Sequence, residues 1–282
     1  MAAYLVTGKE RALIDMGYRS SVETILDDLS SAGVYTIDYL LPTHVHLDHA
    51  GSCGTLATRF PEAAVFAHPV GERHLVDPAQ LIEDVRTLFG DLMHEYGLPE
   101  PIASKRIHSL NDDELIHLGN GLTLRSIWTL GHASHHLSFL AEETGSVFTG
   151  DAVGAYCPDL PVLYPQTPPP SFNMDKALSS ICKLRALSPS ELYTPHFGRL
   201  GNPESWLDRN QQVLLEWNAA IRELKDQGLS NELIAEELIR QICLRVGKTP
   251  EVLSLHHRTA IRVDVIGFTR WLQFVSRRES AI

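Results

Sequence analysis

Short apolar runs broken by turn residues fill the first two hundred positions of this 282-residue chain, and apolar stripes at helical spacing fill the rest. "AYLVTG" and "RALIDMG" predict two strands joined as a hairpin at Gly8-Lys9. "SSVETILDDLSSAG" predicts a helix, with Ser caps, acids in its first turns and Gly33 at its end. "VYTIDYLLP" predicts a buried strand stopped by Pro42, followed by a loop and a helix over 52–60. "AAVFAHP" is a further short strand, and 78–97 is helical until "LPEPI" breaks it. "LIHL", "LTLRSIWTL", "HLSFLAEE" and "SVFTGD" alternate strand with turn. The Pro-rich stretch 155–170 is too poor in donors to be helix. A helix at "NMDKALSSICKLRAL" and a strand at "ELYTPH" follow. Beyond about 202 three helical stretches come with little strand between them. The pattern therefore divides the chain into a strand-rich α/β body, 1–202, and a helical extension, 203–282.

Composition adds mostly exclusions. Lysine and arginine total 24 against 35 acids, a formal charge of −11, which disfavours nucleic acid as a partner. No apolar run approaches the roughly 18 residues of a membrane span. The first residues lack a basic region followed by an apolar stretch, so no signal peptide is expected and the cytoplasm is the default compartment. The four scattered cysteines fit free thiols in a reducing compartment.

The chemistry gathers in "LPTHVHLDHAG", which places His44, His46, Asp48 and His49 within six positions. On an extended loop His44 and His46 project to one side, because alternation brings i and i+2 together. Asp48 and His49 come where the chain turns, facing a neighbouring point. Imidazole and carboxylate suit zinc, iron and manganese. One ion cannot take all four groups from so short a segment, whereas two adjacent ions can. Other ligands of the same types follow other apolar strands: His132 after "IWTLG", Asp151 after "VFTG" and His196 after "LYTP".

These motifs in this order resemble the metallo-β-lactamase superfamily, whose HxHxDH signature is matched by His44, His46, Asp48 and His49. "TLGHASHHLSF", "FTGD" and "TPHFG" match its later motifs, and "LIDMG" its early Asp, here Asp15. The resemblance covers residue 4 to about 200 and implies an αββα sandwich. It further implies that His44, His46 and His132 hold one divalent metal, that Asp48, His49 and His196 hold a second, and that Asp151 bridges them. Zinc is the first expectation for both, iron or manganese the alternative. Two such ions share a hydroxide of lowered pKa, so the expected reaction is attack on a thioester, lactone or other carboxylic ester of a small-molecule substrate. Asp48 or Asp151 would shuttle the proton. Asp15 and Thr43 are candidates to fix the metal-bound imidazoles.

Around this centre the expectations concern substrate. "GHASHHLSF" is similar to a phrase of glyoxalase II-like and lactonase-like hydrolases, in which His136 sits beside the site. Tyr156 could donate to a substrate oxygen, and Phe197 could line the pocket. The stretch after Asp151 lacks the lysine that accompanies glutathione binding in glyoxalase II, so a glutathione thioester is disfavoured. The helical extension is expected to pack over or beside the active site, with His256 and His257 as non-ligands. Relatives carry a strand or two ahead of the first hairpin; its expected exposed edge would be covered in a homodimer. Two other readings stand: a mononuclear iron oxygenase of the persulfide dioxygenase type, and a metal-retaining binding or signalling protein with little turnover.

Overall fold

The computed structural model describes residues 1–158, 161–196 and 198–279. In chain order the elements are β1 (Tyr4–Thr7), β2 (Arg11–Ile14), α1 (Val22–Ser31), β3 (Tyr39–Leu41), α2 (Leu47–Ala50), α3 (Cys53–Arg59), β4 (Ala64–Ala67), α4 (Pro69–Val76), α5 (Ala79–Phe89), α6 (Met93–Tyr96), β5 (Ile107–Ser109), β6 (Leu115–Gly119), β7 (Leu122–Trp128), β8 (Leu137–Ala141), β9 (Ser146–Phe148), β10 (Ala155–Cys157), β11 (Val162–Tyr164), α7 (Met174–Ala186), β12 (Glu191–Thr194), β13 (Gly198–Leu200), α8 (Pro203–Asp226), α9 (Asn231–Arg245) and α10 (Leu255–Glu279). They gather in two compact units that interleave along the sequence. One comprises Met1–Thr129, His135–Gly150 and Ala186–Pro203; the other comprises Leu130–Ser134, Asp151–Arg185 and Glu204–Ile282.

The first unit holds two sheets, β1-β2-β3-β4-β5 and β13-β12-β9-β8-β7-β6. In the first sheet only the β1–β2 hairpin is antiparallel; β2 to β5 run parallel. Parallel strands need cover on both faces, and the alternation along β2 shows how it is supplied. Leu13, with Leu40 and Val65, packs against Val22, Ile25 and Leu29 of α1 and Leu56 of α3. Ala12 and Ile14, with Leu41, face the other way onto Leu124, Leu137 and Phe139 of the second sheet. Helices, sheet and sheet are thus three stacked layers. The second unit holds the β10–β11 hairpin, α7 and the three C-terminal helices, in which Ile234, Leu238 and Ile242 of α9 and Ile261, Val265 and Phe268 of α10 are buried at helical spacing. No helix among the described residues is long and apolar enough to cross a membrane.

Three local expectations need correction. The strand expected from Val34 is confined to Tyr39–Leu41, because Arg11 and Asp38 close the ladder through Arg11 N–H to the Asp38 carboxylate (2.8 Å) and Asp38 N–H to Arg11 O (2.9 Å). Ser21 gives α1 no side-chain cap, since a 3-10 turn precedes it and its own backbone is already helical. The histidine motif is only half loop: Asp48 and His49 lie on α2, a single helical turn. The β10–β11 pair inside the Pro-rich stretch was not anticipated, since prolines mask the short strand signal.

His68 ends β4 and caps α4, its Nδ1 accepting from Val70 N–H at 3.1 Å while its ring lies 4.3 Å from Trp128. Burial lowers its pKa from 6.5 to about 4. The folded protein therefore resists a proton that the unfolded chain accepts. The stability this group contributes is complete above pH 6.5 and is lost as pH falls toward 4, at about 1.4 kcal/mol per pH unit. In His68→Asn the cap acceptor is kept and the titration removed. Urea unfolding between pH 6.5 and 4 should show a shallower loss for the variant than for the parent; equal slopes would refute the assignment.

Candidate metal centre

Candidate ligands leave the ends of strands that point the same way. β2 and β3 are parallel neighbours, and the residues after them are Asp15 and the Pro42–His49 segment. Asp15 turns into the left-handed region, φ 48°, a conformation an Asp side chain tolerates better than most. The carboxylate, 1% exposed, is filled by donors. Oδ1 accepts Thr43 N–H at 2.8 Å, and Thr43 Oγ1 lies 3.0 and 3.1 Å from its two oxygens. Oδ2 lies 3.0 Å from His49 Nδ1. A carboxylate only accepts, so His49 carries its proton on Nδ1 and presents a lone pair at Nε2. Thr43 Oγ1, having given its proton to Asp15, accepts from His44 Nδ1 at 3.1 Å, which sets the same tautomer there. Gly150 closes against this group: a Cβ on it would stand 2.6 Å from His136 Nε2 and 2.7 Å from Thr43 Oγ1.

The lone pairs so created face other candidate ligands. His44 Nε2 stands 2.8 Å from His46 Nδ1. His49 Nε2 stands 3.5 Å from Asp48 Oδ2, and His196 Nε2 stands 3.6 Å from the same oxygen. Ligand atoms of Asp48, His49 and His196 all lie within 4.8 Å of one another. An imidazole lone pair facing a carboxylate oxygen is repulsive unless a positive charge lies between them. Protonating the rings would crowd imidazolium charges together; a divalent cation meets the same demand with one centre. The donor set therefore fits a metal. His196 is held from behind, with Pro195 O accepting Ala2 N–H at 2.7 Å and Thr194 Oγ1 donating to His196 O at 2.8 Å.

The second unit carries His132 and Asp151, and the same rule operates. His132 Nδ1 donates to the carbonyl of Gln166 at 2.7 Å, leaving Nε2 3.5 Å from Asp151 Oδ2. The 130–134 loop is seated on α7. Leu130 O accepts from Ser180 Oγ at 2.6 Å, Gly131 O accepts Asn173 N–H at 2.8 Å, and a Cβ on Gly131 would lie 2.3 Å from Ala177 N. The Gln166 carbonyl belongs to a strap clamped on α10. Thr167 N–H donates to Asp264 Oδ1 at 2.6 Å, and a Cβ on Gly267 would lie 1.7 Å from Thr167 O. Asp264 is 3% exposed, and burial raises its carboxyl to about 7 against the opposing pull of the Thr167 hydrogen bonds.

Asp15 and Thr43 thus sit behind the imidazoles as expected. His136 is fully buried, its Nδ1 2.9 Å from Thr129 Oγ1 and its ring 4.9 Å from that of His44, so it backs a ligand and does not face substrate. Tyr156 packs its ring 5.0 Å from Trp206. His257 stacks on Tyr164, away from the ligand sets. Phe197 lies outside the described residues. Sequence reasoning missed Gln166, Thr167 and Asp264, because a backbone acceptor and a lone helical Asp leave no motif.

Two variants test these supports. Asp15→Asn would turn an amide N–H toward His49 Nδ1, move the ring proton to Nε2 and remove the ligand lone pair; metal affinity should fall about 10–100-fold in chelator competition. Asp264→Leu strands the buried Thr167 N–H, while Thr167 Oγ1 keeps the Asp264 backbone carbonyl as acceptor, and should cost about 1–3 kcal/mol in denaturant unfolding, whereas Asp264→Asn keeps the acceptor and should cost far less. Equal losses in the two would show that the strap does not depend on this contact.

Comparison with known proteins agrees with this geometry. Residues 2–196 match the family model of the Metallo-beta-lactamase superfamily. A metallo-β-lactamase fold-containing protein of Sulfurisphaera tokodaii is 28% identical over 83% of this chain and 86% of its own. Its crystal structure superposes with a TM-score of 0.65 over 76% of this chain and 79% of that one. A Thermus thermophilus metallo-β-lactamase family protein, 22% identical, shares the fold at a TM-score of 0.71 over 97% of this chain and 88% of its own. An atrochrysone carboxyl ACP thioesterase of Aspergillus fumigatus is 31% identical over 53% of this chain, which spans 38% of that relative's length. With the matched region covering well over half of its length, this chain belongs to the metallo-β-lactamase superfamily.

Proposed function

We propose that the protein is a metal-dependent hydrolase of carboxylic esters, thioesters and lactones included. His44, His46 and His132 would hold one divalent cation, and Asp48, His49, Asp151 and His196 a second, zinc being the first choice. The observation that carries this reading is the meeting of the His49 and His132 lone pairs with carboxylate oxygens of Asp48 and Asp151, with His196 Nε2 beside the Asp48 oxygen. Bound there, such cations acidify water toward neutrality and polarise a carbonyl.

The chain's own groups have distinct parts in this reaction. Asp15, through His49 directly and through Thr43 to His44, holds two rings in the ligating tautomer. The Gln166 carbonyl does so for His132. Asp48, 22% exposed at its side chain and beside the 19% exposed His196, is the carboxylate that meets solvent. It accepts a proton from the attacking water and returns it to the departing alkoxide or thiolate. Asp151, only 3% exposed, holds position. The relative named a thioesterase supports an ester or thioester bond as the target.

Protein purified without chelators should carry about two divalent metals per chain by plasma mass spectrometry, and should cleave members of a thioester and lactone panel. His49→Ala and His196→Ala should each lower kcat/KM at least about 100-fold, as loss of a charge-stabilising group does. A single iron per chain, with turnover insensitive to both substitutions, would favour the iron oxygenase instead.

A further inference from the structure

The helical unit contains a cavity of about 220 Å³ that none of the roles above uses. Ser134, Asn173, Lys176, Arg270, Trp271 and Phe274 are among the residues that line it, and no carboxylate does. Lys176 lies in the first turn of α7 and Arg270 on α10. Neither forms an ion pair among the described residues, in a chain whose acids outnumber its bases 35 to 24. Both side chains are exposed, and both offer positive charge to an anion seated in the same cavity. The wall at α7 adds to the field, since the start of this 13-residue helix carries partial positive charge.

Trp271 supplies an independent sign. It is 7% exposed, and its indole N–H has no hydrogen-bond partner within the described structure. An unmet buried donor costs about 1–3 kcal/mol and calls for an explanation. An acceptor brought by a ligand, with a small shift of the ring, provides one. The remaining walls, Phe172 and Phe274 with the Trp271 ring, are aromatic. A volume of about 220 Å³ is room for a small acid.

We infer that this cavity binds a small organic monocarboxylate, its carboxylate between Lys176 and Arg270 with the Trp271 N–H as a third donor, and its apolar body on the aromatic walls. The inference is separate from the proposed hydrolysis, because it concerns binding alone. It bears on that site through the chain: Gly131, Ala133 and Ser134, which flank His132, also line the cavity.

Calorimetric titration of the metal-loaded protein with phenylacetate, phenylacetamide and phenyl phosphate tests it. Phenylacetate should bind, and the neutral amide at least about tenfold more weakly, the effect of losing a charge-assisted hydrogen bond. Lys176→Gln and Arg270→Gln, both at exposed positions, should each weaken phenylacetate about tenfold, and Trp271→Phe should weaken it while keeping the wall. His49→Ala, at the metal centre, should leave it unchanged. Absence of phenylacetate binding, equal affinity for acid and amide, or indifference to the Gln variants would overturn the proposal. Affinity that follows His49→Ala would place the acid at the metals, and a tenfold preference for phenyl phosphate would replace the carboxylate with a phosphate; either outcome overturns it too.

Discussion

One buried carboxylate organises the first unit. Asp15 takes a backbone amide, a hydroxyl and an imidazole from one segment distant in sequence, from residues 28 and 34 positions away. Each of those groups would be costly to bury alone, and so would the carboxylate. Together they satisfy one another, and the arrangement dictates which nitrogen of His49 and of His44 bears a proton. Packing the sheets could bring these rings near each other, but only an acceptor behind them makes them ligands. The left-handed backbone at Asp15 is part of the same device, because it turns the carboxylate back toward Thr43 at the end of the neighbouring parallel strand.

The second unit reaches the same result by different means. A backbone carbonyl replaces the carboxylate behind His132, and that carbonyl needs a rigid frame because a strap of irregular chain has little of its own. The frame is α10, whose Asp264 and Gly267 lie three residues apart on one face. Only a glycine lets the strap lie directly on the helix, and only an acceptor at Asp264 satisfies Thr167. A helix more than a hundred residues downstream in sequence therefore belongs to the orientation of a single imidazole.

Much of this was legible in advance, for identifiable reasons. Apolar runs and helical periodicity located most of the strands and the long helices, residue types at strand ends marked candidate ligands, and the family resemblance divided them into two sets. Strand ends are readable because a ligand must follow an apolar run that terminates in a small or turn residue, as "VFTGD" does. The parts that were not legible depend on geometry without composition. The truncation of β3 comes from one Arg11–Asp38 pairing. His136 reads as a group beside the site, and its enclosure by Thr129 and Gly150 comes from packing that no motif records. Gln166 contributes a carbonyl that any residue could supply.

Exposure divides the candidate ligands of each unit. In the first unit His44 and His49 are 2% exposed or less, whereas the side chains of Asp48 and His196 keep about a fifth of their surface open and His46 is intermediate. In the second unit His132 and Asp151 are both 4% exposed or less. An exposed carboxylate exchanges protons with solvent and an enclosed one does not. Of the two aspartates, Asp48 therefore has the burial that suits the proton-carrying part proposed for it, and Asp151 the burial that suits holding position.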